Sequence, residues 1–183
     1  ESLRLYREGM AVAVAGGDVR SQTNILVGMA DLYRDVGAFD QAEALYGSAW
    51  QNARESRPGV AVYILTARAD AYRWQGEPQR ALVVLDEALA LANQRELKYH
   101  IAATLPLSRG IALVESGQTE EGLRLLSQGI DYLESHQAQR ELAQAHLLAA
   151  RGWFLANDRQ RSVAELGQAL TLAEEIGTDQ FVV

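Results

Sequence analysis

The sequence predicts an all-α fold built from repeated helical hairpins. Apolar residues recur at helical spacing in two successive stretches of residues 24–50, and the same pattern returns three more times along the chain. Only three prolines interrupt 183 residues, and alanine and leucine are plentiful, which favours helix throughout. A single hairpin of this kind cannot bury its apolar stripes alone, so each copy requires neighbouring copies.

A turn residue divides each hairpin into two helices. Gly37, Gly76, Gly117 and Asn157 occupy this position, at spacings of 39, 41 and 40 residues. Glycine and asparagine most readily adopt the left-handed conformation that ends a helix. Small residues at fixed distances from these turns predict that the paired helices approach each other closely. They are Ala30, Ala69, Gly110 and Ala150 seven residues before the turn, Ala42, Ala81, Gly122 and Ser162 five after it, and Ala49, Ala88, Gly129 and Ala169 twelve after it.

We expect a single repeat domain of about four and a half hairpins over residues 1–183. It divides into a half repeat at 1–17, repeats at about 19–56, 59–95, 97–136 and 138–177, and a truncated repeat at 178–183. The helices are expected at 3–15, 19–36, 39–55, 60–75, 78–93, 97–116, 119–135, 138–156 and 159–176. Because the chain begins at Glu1 in mid-pattern, we expect it to be part of a longer protein.

Pro106 conflicts with the helix expected at 97–116. A proline inside a helix removes one backbone hydrogen bond and crowds the carbonyl four residues earlier, here that of Ala102, at a cost of roughly 3 kcal/mol or more. Two outcomes would relieve the conflict: the helix bends at Pro106, or it starts late, at about Thr104.

Composition excludes several classes of function. The net charge of −7 argues against nucleic-acid binding, because neutralising phosphates requires a basic surface. Cysteine is absent, which excludes disulfides and thiolate metal sites. No apolar run approaches the ~20 residues needed to cross a bilayer, and no signal peptide is recognisable. We therefore expect a cytoplasmic location without membrane or nucleic-acid contact.

Motifs of catalysis are missing as well. His100, His136 and His146 are not at the spacing of a metal-binding helix motif. The sequence contains neither a glycine-rich phosphate loop nor a nucleophile motif. We therefore expect a protein that is not an enzyme and holds no cofactor or metal.

The small residues and the turn glycines together resemble the tetratricopeptide repeat, and the resemblance covers nearly the whole chain. It implies that the hairpins stack into a right-handed superhelical solenoid whose first helices line a concave groove. The period departs from that family, since it is about 40 residues here against 34 in the usual repeat. The longer period is similar to that of the sensor arrays in bacterial transcriptional regulators of the MalT type, and it is shared by peptide-pheromone receptors and kinesin light chains.

The MalT-like resemblance implies a sensor module of a larger bacterial regulator, in which the groove binds an inducer or a regulatory protein. The alternative is a general scaffold for protein–protein interactions that has no small-molecule ligand. The partner is a protein or peptide in both cases, and the first case adds a small-molecule inducer.

The resemblance also implies which residues of the first two hairpins face the groove. Each hairpin contains an aspartate three residues before an arginine, on one helix face. In one interpretation Arg34 and Arg73 bind a carboxylate or phosphate, and Trp74 is a platform for a sugar or peptide side chain. In the other, the charges only form salt bridges with one another. The groove residues expected here are Asn24, Asp31, Arg34, Tyr63, Asp70, Arg73 and Trp74.

The same positions in the third and fourth hairpins are largely apolar. One interpretation is an apolar stripe for a partner helix or peptide. The other is packing between neighbouring hairpins. These positions include Leu107, Ile111, Val114, Leu147, Arg151, Phe154 and Leu155, and the expected ligand or partner contacts among them are Leu107, Ile111, Arg151 and Phe154.

Overall fold

The structure, a computed structural model, describes residues 2–177, and every regular element within them is helical. The all-α prediction is confirmed, and helix ends lie within two residues of their expected positions except at the sixth helix. The truncated repeat expected at 178–183 lies outside the described residues. The α-helices are α1 (Ser2–Ala15), α2 (Val19–Asp35), α3 (Phe39–Ala53), α4 (Pro58–Trp74), α5 (Pro78–Gln94), α6 (Leu105–Glu115), α7 (Thr119–Ser135), α8 (Gln139–Leu155) and α9 (Arg159–Ile176), and a π-helix spans His100–Thr104.

The chain divides into two compact units, Glu1–Leu97 and Lys98–Val183. In the first unit α1 packs on α2, α2 pairs with α3, and α4 pairs with α5. The two hairpins are joined because α3 packs on α4, and α2 also touches α4. The first helices of the two hairpins are therefore neighbours. We call the face they share, around Asp31 and Tyr63, the first-helix surface.

The second unit has the same arrangement of hairpins. In it α6 pairs with α7, α8 pairs with α9, and α7 packs on α8, while α6 touches α8. The π-helix packs on both α6 and α7. Within each unit, the packing of hairpin on hairpin agrees with the repeat pattern of the sequence.

The four turn residues expected inside the hairpins all have a left-handed backbone, so these predictions are confirmed. Each helix ends with a backbone hydrogen bond that spans the turn; after Gly37, for example, the N–H of Ala38 donates to the carbonyl of Tyr33 at 2.8 Å. This pattern is the Schellman ending, in which a left-handed residue lets the chain satisfy its last carbonyls. The φ angles are +77° at Gly37, +78° at Gly76, +90° at Gly117 and +62° at Asn157.

Two further left-handed residues end second helices, and the sequence did not indicate them. Glu96 after α5 and Gln137 after α7 both have φ of +53°. Their turns close in the same way, since the N–H of Ala138 donates to the carbonyl of Leu133 at 3.1 Å. Left-handed residues that follow one another along the chain are regularly 20 positions apart, as at 17 and 37, at 76 and 96, and at 117, 137, 157 and 177. One spacing is a residue longer, since 96 and 117 are 21 positions apart.

The extra residue between positions 96 and 117 coincides with the π-helix. The N–H of Leu105 donates to the carbonyl of His100, five residues earlier rather than four. The helix already begins at Lys98, so the chain ahead of Thr104 is not a loop, and regular α-helix follows the π-helix from Leu105. Pro106 lies in the first turn of α6, directly after the π-helix. The conflict is relieved by a change of helix type.

Small residues bring the paired helices together, as the sequence predicted. Ala42 and Ala81 have no exposed surface. In the pair α6 and α7 the approach is closer still, because a Cβ added to Gly110 would lie 2.8 Å from the carbonyl oxygen of Gly122. A Cβ on Gly122 would lie 2.5 Å from the carbonyl oxygen of Gly110. The two backbones therefore touch at a point where only glycine fits.

Candidate functional site

Three of the expected groove residues come together on the first-helix surface. Asn24 and Asp31 from α2 and Tyr63 from α4 border one cleft of about 390 Å³. They converge because α2 and α4 lie side by side and because Asn24 and Asp31 are seven residues, or two helical turns, apart. The remaining lining residues are Val27, Gly28, Gly59 and Val60.

Asp31 is the carboxylate of this cleft, and the core holds it in place. The hydroxyl of Tyr46, which has no exposed surface, donates to Oδ1 of Asp31 at 2.5 Å. Nη1 of Arg34 donates to the same oxygen at 3.1 Å. The Asp31 side chain keeps 26% of its surface exposed. A partly buried carboxylate with two donors on one oxygen is fixed in orientation and still reaches the cleft.

Tyr63 covers one side of the cleft, with 47% of its surface exposed. Burial raises the pKa of its phenol above the ordinary value of 10, and the Asp31 carboxylate raises it further by repelling a phenolate. The phenol therefore stays protonated at neutral pH, and it hydrogen-bonds to the Asp31 carboxylate. Its ring is available for contact with a ligand.

Arg34 occupies a position between two carboxylates and an indole. Besides Asp31, it bonds to Asp35, with Nη2 2.9 Å from Oδ1. Its guanidinium carbon lies 5.1 Å from the ring centroid of Trp74, which is a cation–π contact. Trp74 is 54% exposed. The expected meeting of Arg34 and Trp74 on one face is thus present, but the guanidinium is already paired.

Arg73 does not face the groove as a free cation. Its side chain is 4% exposed, and Nη1 bonds to Oδ1 of Asp70 at 2.6 Å. A buried arginine paired with a carboxylate is a structural group, because its charge is already compensated. For Arg73 and Asp70, the salt-bridge interpretation describes the structure and the ligand-binding interpretation does not.

The expected apolar stripe of the second unit separates into buried and exposed parts. Leu107 and Ile111 belong to the hydrophobic core between α6, α7 and α8, so their placement as groove contacts is wrong. They are buried because the helices approach closely at the small residues beside them. Phe154 is exposed on α8, and Arg151, also exposed, bonds to Glu115 at 2.9 Å. These two residues lie on the surface as expected.

Tyr46 of this site was not among the groove residues expected from the sequence. It belongs to the apolar stripe of α3, where a phenylalanine would pack equally well, and its hydroxyl gives no separate signal in the pattern. Gly28 and Gly59 were also missed, because glycines away from the turns have no fixed offset in the repeat. No helix within residues 2–177 is long and apolar enough to cross a membrane. The same residues contain no group of three or more His, Cys, Asp or Glu arranged to hold a metal.

Neither a protein-family model nor a curated protein matches this sequence. The chain is similar in structure to BtubC (BKLC) from P. vanneervenii, whose crystal structure is known. The TM-score is 0.60 at 18% sequence identity, and the match covers 96% of this chain and 89% of that chain. At this identity the likeness shows a shared fold and does not extend to function.

Proposed function

We propose that the chain is a non-catalytic binding module of the tetratricopeptide type, with its ligand held on the first-helix surface. The observation that supports this proposal is the cleft itself, because Asn24, Asp31 and Tyr63 come from two different hairpins and converge on one space. The resemblance to the tetratricopeptide repeat had implied that all three face the groove. A right-handed superhelical course of the whole chain and a cytoplasmic location stay predictions.

The finer proposal is a sensor module of a larger bacterial transcriptional regulator of the MalT type. It is supported by the repeat period of about 40 residues, which departs from the usual 34. In this proposal an inducer or a regulatory protein occupies the first-helix surface. The exposed indole of Trp74 and ring of Tyr63 suit a sugar or an apolar side chain equally.

A general scaffold for protein–protein interactions is the second candidate. It is favoured by the pairing of Arg34 and Arg73 with carboxylates, since neither arginine is then available to clamp a small anionic inducer. It is also favoured by the exposed Phe154, because aromatic residues are enriched at protein interfaces. Both candidates exclude catalysis by this chain.

One experiment tests whether the first-helix surface binds at all. Peptides selected from a random display library against the protein, and in parallel a panel of oligosaccharides, are measured by calorimetry on wild type and variants. We expect binding to weaken at least tenfold, about 1.4 kcal/mol, in the double variant Asn24→Arg/Tyr63→Ala. Val83→Ala on α5 is the control, because Val83 is 70% exposed and lies on a second helix.

The outcomes separate the two candidates. An oligosaccharide that binds and changes the fluorescence of wild type, but not of Trp74→Phe, supports the sensor. Selected peptides that bind while every oligosaccharide fails support the scaffold. If ligands of either kind bind the double variant as tightly as wild type, the first-helix surface is not the site and the proposal is wrong.

A further inference from the structure

The charges around the cleft indicate the charge of its ligand. The sequence left two interpretations of the aspartate–arginine pairs open: arginines that bind a carboxylate or phosphate, or charges that only form salt bridges with one another. In the structure Arg73 is buried against Asp70, and Arg34 is held by Asp31 and Asp35. None of the residues that line the cleft is basic. The inference that follows rests on the proposed function and specifies its ligand.

The polar side chains that border the cleft are acceptors or neutral groups. Asp31 contributes a carboxylate, Asn24 a carboxamide and Tyr63 a phenol. Tyr46 and Arg34 both bond to Oδ1 of Asp31, and the Tyr63 phenol hydrogen-bonds to the same carboxylate, so a cation would meet Asp31 beside the Tyr63 hydroxyl. Because the carboxylate is partly buried, its attraction for a cation is screened less than at an open surface.

The rest of the lining suits an aliphatic stem. Val27 and Val60 are apolar, and beside Gly28 the Tyr6 ring takes the place of a side chain, since a Cβ there would lie 2.5 Å from the Tyr6 hydroxyl oxygen. The exposed ring of Tyr63 provides a face for a cation, and the same surface already contains one such contact, between Arg34 and Trp74. A cleft of about 390 Å³ lies at the small end of ligand sites, which run from about 300 to 1,000 Å³.

We infer that this cleft binds the basic side chain of a peptide, a lysine or arginine whose charged end pairs with Asp31 and whose methylenes lie between Val27, Val60 and the Tyr63 ring. The first turn of α4 also borders the cleft at Gly59, and its free N–H groups suit a carbonyl oxygen of the same peptide. The net charge of −7 assists the encounter, since an acidic protein attracts a basic segment at long range.

The test is a titration of ¹⁵N-labelled protein, followed by its amide resonances, with four capped tripeptides. They are acetyl-Gly-X-Gly-amide with X as lysine, arginine, norleucine or glutamate. Concentrations reach about 5 mM, because a single side-chain contact is expected at millimolar affinity. We expect saturable shifts at Gly28, Gly59 and Val60 with lysine and arginine, and at least fivefold weaker binding of norleucine and glutamate.

Matched variants assign the effect to Asp31. Asp31→Asn keeps an acceptor for Tyr46 and removes the charge, so lysine binding should be lost. Asp35→Asn removes a carboxylate that pairs with the same Arg34 but does not border the cleft, so binding should persist. If Asp31→Asn fails to fold, Asn24→Lys replaces it: the new ammonium is tethered at the exposed rim of the cleft and should compete with the peptide.

Each contrary result overturns the inference in a recognisable way. Equal binding of norleucine would show an apolar cleft, and preferred binding of glutamate would show that the N-terminus of α4 outweighs Asp31. In both cases the first-helix surface still binds, so the proposed function stands. If no peptide shifts the cleft resonances at these concentrations, the cationic ligand is excluded. Whether the first-helix surface binds any ligand is then decided by the library peptides of the preceding experiment.

Discussion

The hydroxyl of Tyr46 donates a 2.5 Å hydrogen bond to Oδ1 of Asp31, and this contact joins the buried core of the α2–α3 hairpin to its exposed first-helix surface. Tyr46 has no exposed surface, and burial raises the pKa of its phenol well above the ordinary value of 10. It therefore stays protonated, and a donor, at neutral pH. The orientation of the cleft carboxylate thus depends on a core residue.

Tyr46→Phe should destabilise the first unit by about 1.5 kcal/mol, because it removes a hydrogen bond to a charged group and leaves Asp31 with one donor fewer. Urea unfolding measures the free energy. Tyr33→Phe is the matched control: Tyr33 is partly buried in the same hairpin, and no hydrogen bond of its hydroxyl is described. If both variants lost the same free energy of unfolding, the contact with Asp31 would contribute nothing to stability.

Gly122→Ala should destabilise the second unit by about 3 kcal/mol, since the new Cβ would lie 2.5 Å from a backbone oxygen that cannot move without separating α6 from α7. Gly47→Ala in α3 has open space around its Cβ and should stabilise by about 0.5–1 kcal/mol. Thermal unfolding compares the two. Close packing of α6 on α7 would be refuted if both substitutions shifted the midpoint in the same direction.

Ala81→Leu tests the same argument in the first unit. Ala81 is fully buried where α5 meets α4, and three additional carbon atoms should overpack the pair by about 1–3 kcal/mol. Exposed Ala11 on α1 is the control position for the same substitution. Wild-type thermal stability of Ala81→Leu would show that small residues at this offset are not required.

Gln137→Gly should stabilise the protein by about 0.5–1 kcal/mol, because glycine adopts the positive φ of this turn without the strain that a side chain brings. Gly117→Ala should cost about 1 kcal/mol at the equivalent turn, where a Cβ meets no atom within 4 Å and the effect is purely conformational. We expect the free energy of unfolding, measured in urea, to rise for Gln137→Gly and to fall for Gly117→Ala. A destabilised Gln137→Gly would mean that its side chain contributes more than its backbone strain costs.

The stability of the second unit should fall on acidification through His100. Burial lowers the pKa of this imidazole from its ordinary 6.5, and its Nδ1 has no hydrogen-bond partner in the described part of the chain. The unfolded chain therefore binds the proton more tightly than the folded one, and stability is lost as the pH falls through about 6.5. His100→Leu should flatten the dependence between about pH 8 and about pH 5. Parallel profiles for His100→Leu and wild type would contradict this assignment.

The helices and their first turns could be predicted because they depend on local chemistry. The positive φ at Gly37 or Asn157 follows from the residue type, and the burial of Ala42 follows from its offset. Glu96 and Gln137 could not be found in this way, because their side chains do not favour a left-handed backbone. The turn imposes that conformation on them, since it satisfies the last carbonyls of α5 and α7.

Only part of the site could be predicted from the sequence. The offsets carried over from the tetratricopeptide resemblance imply which face a residue occupies, and they placed Asn24, Asp31 and Tyr63 on one surface. They do not say which charges are compensated, because that depends on distances across helices. Arg73 shows the limit: its i, i+3 spacing from Asp70 was evident, but its burial was not.

The π-helix at His100–Thr104 bears on how the chain can change in length. A turn bonded over five residues holds one residue more than an α-turn, and the later turns resume their regular spacing of 20 directly after it. A single-residue insertion is thus confined to one turn and leaves the register of every following helix intact. An alignment of this repeat with the other repeats of the chain should therefore contain a one-residue gap at the π-helix. Deletion of Ala102 combined with Pro106→Ala should give a hairpin of the same length as the others.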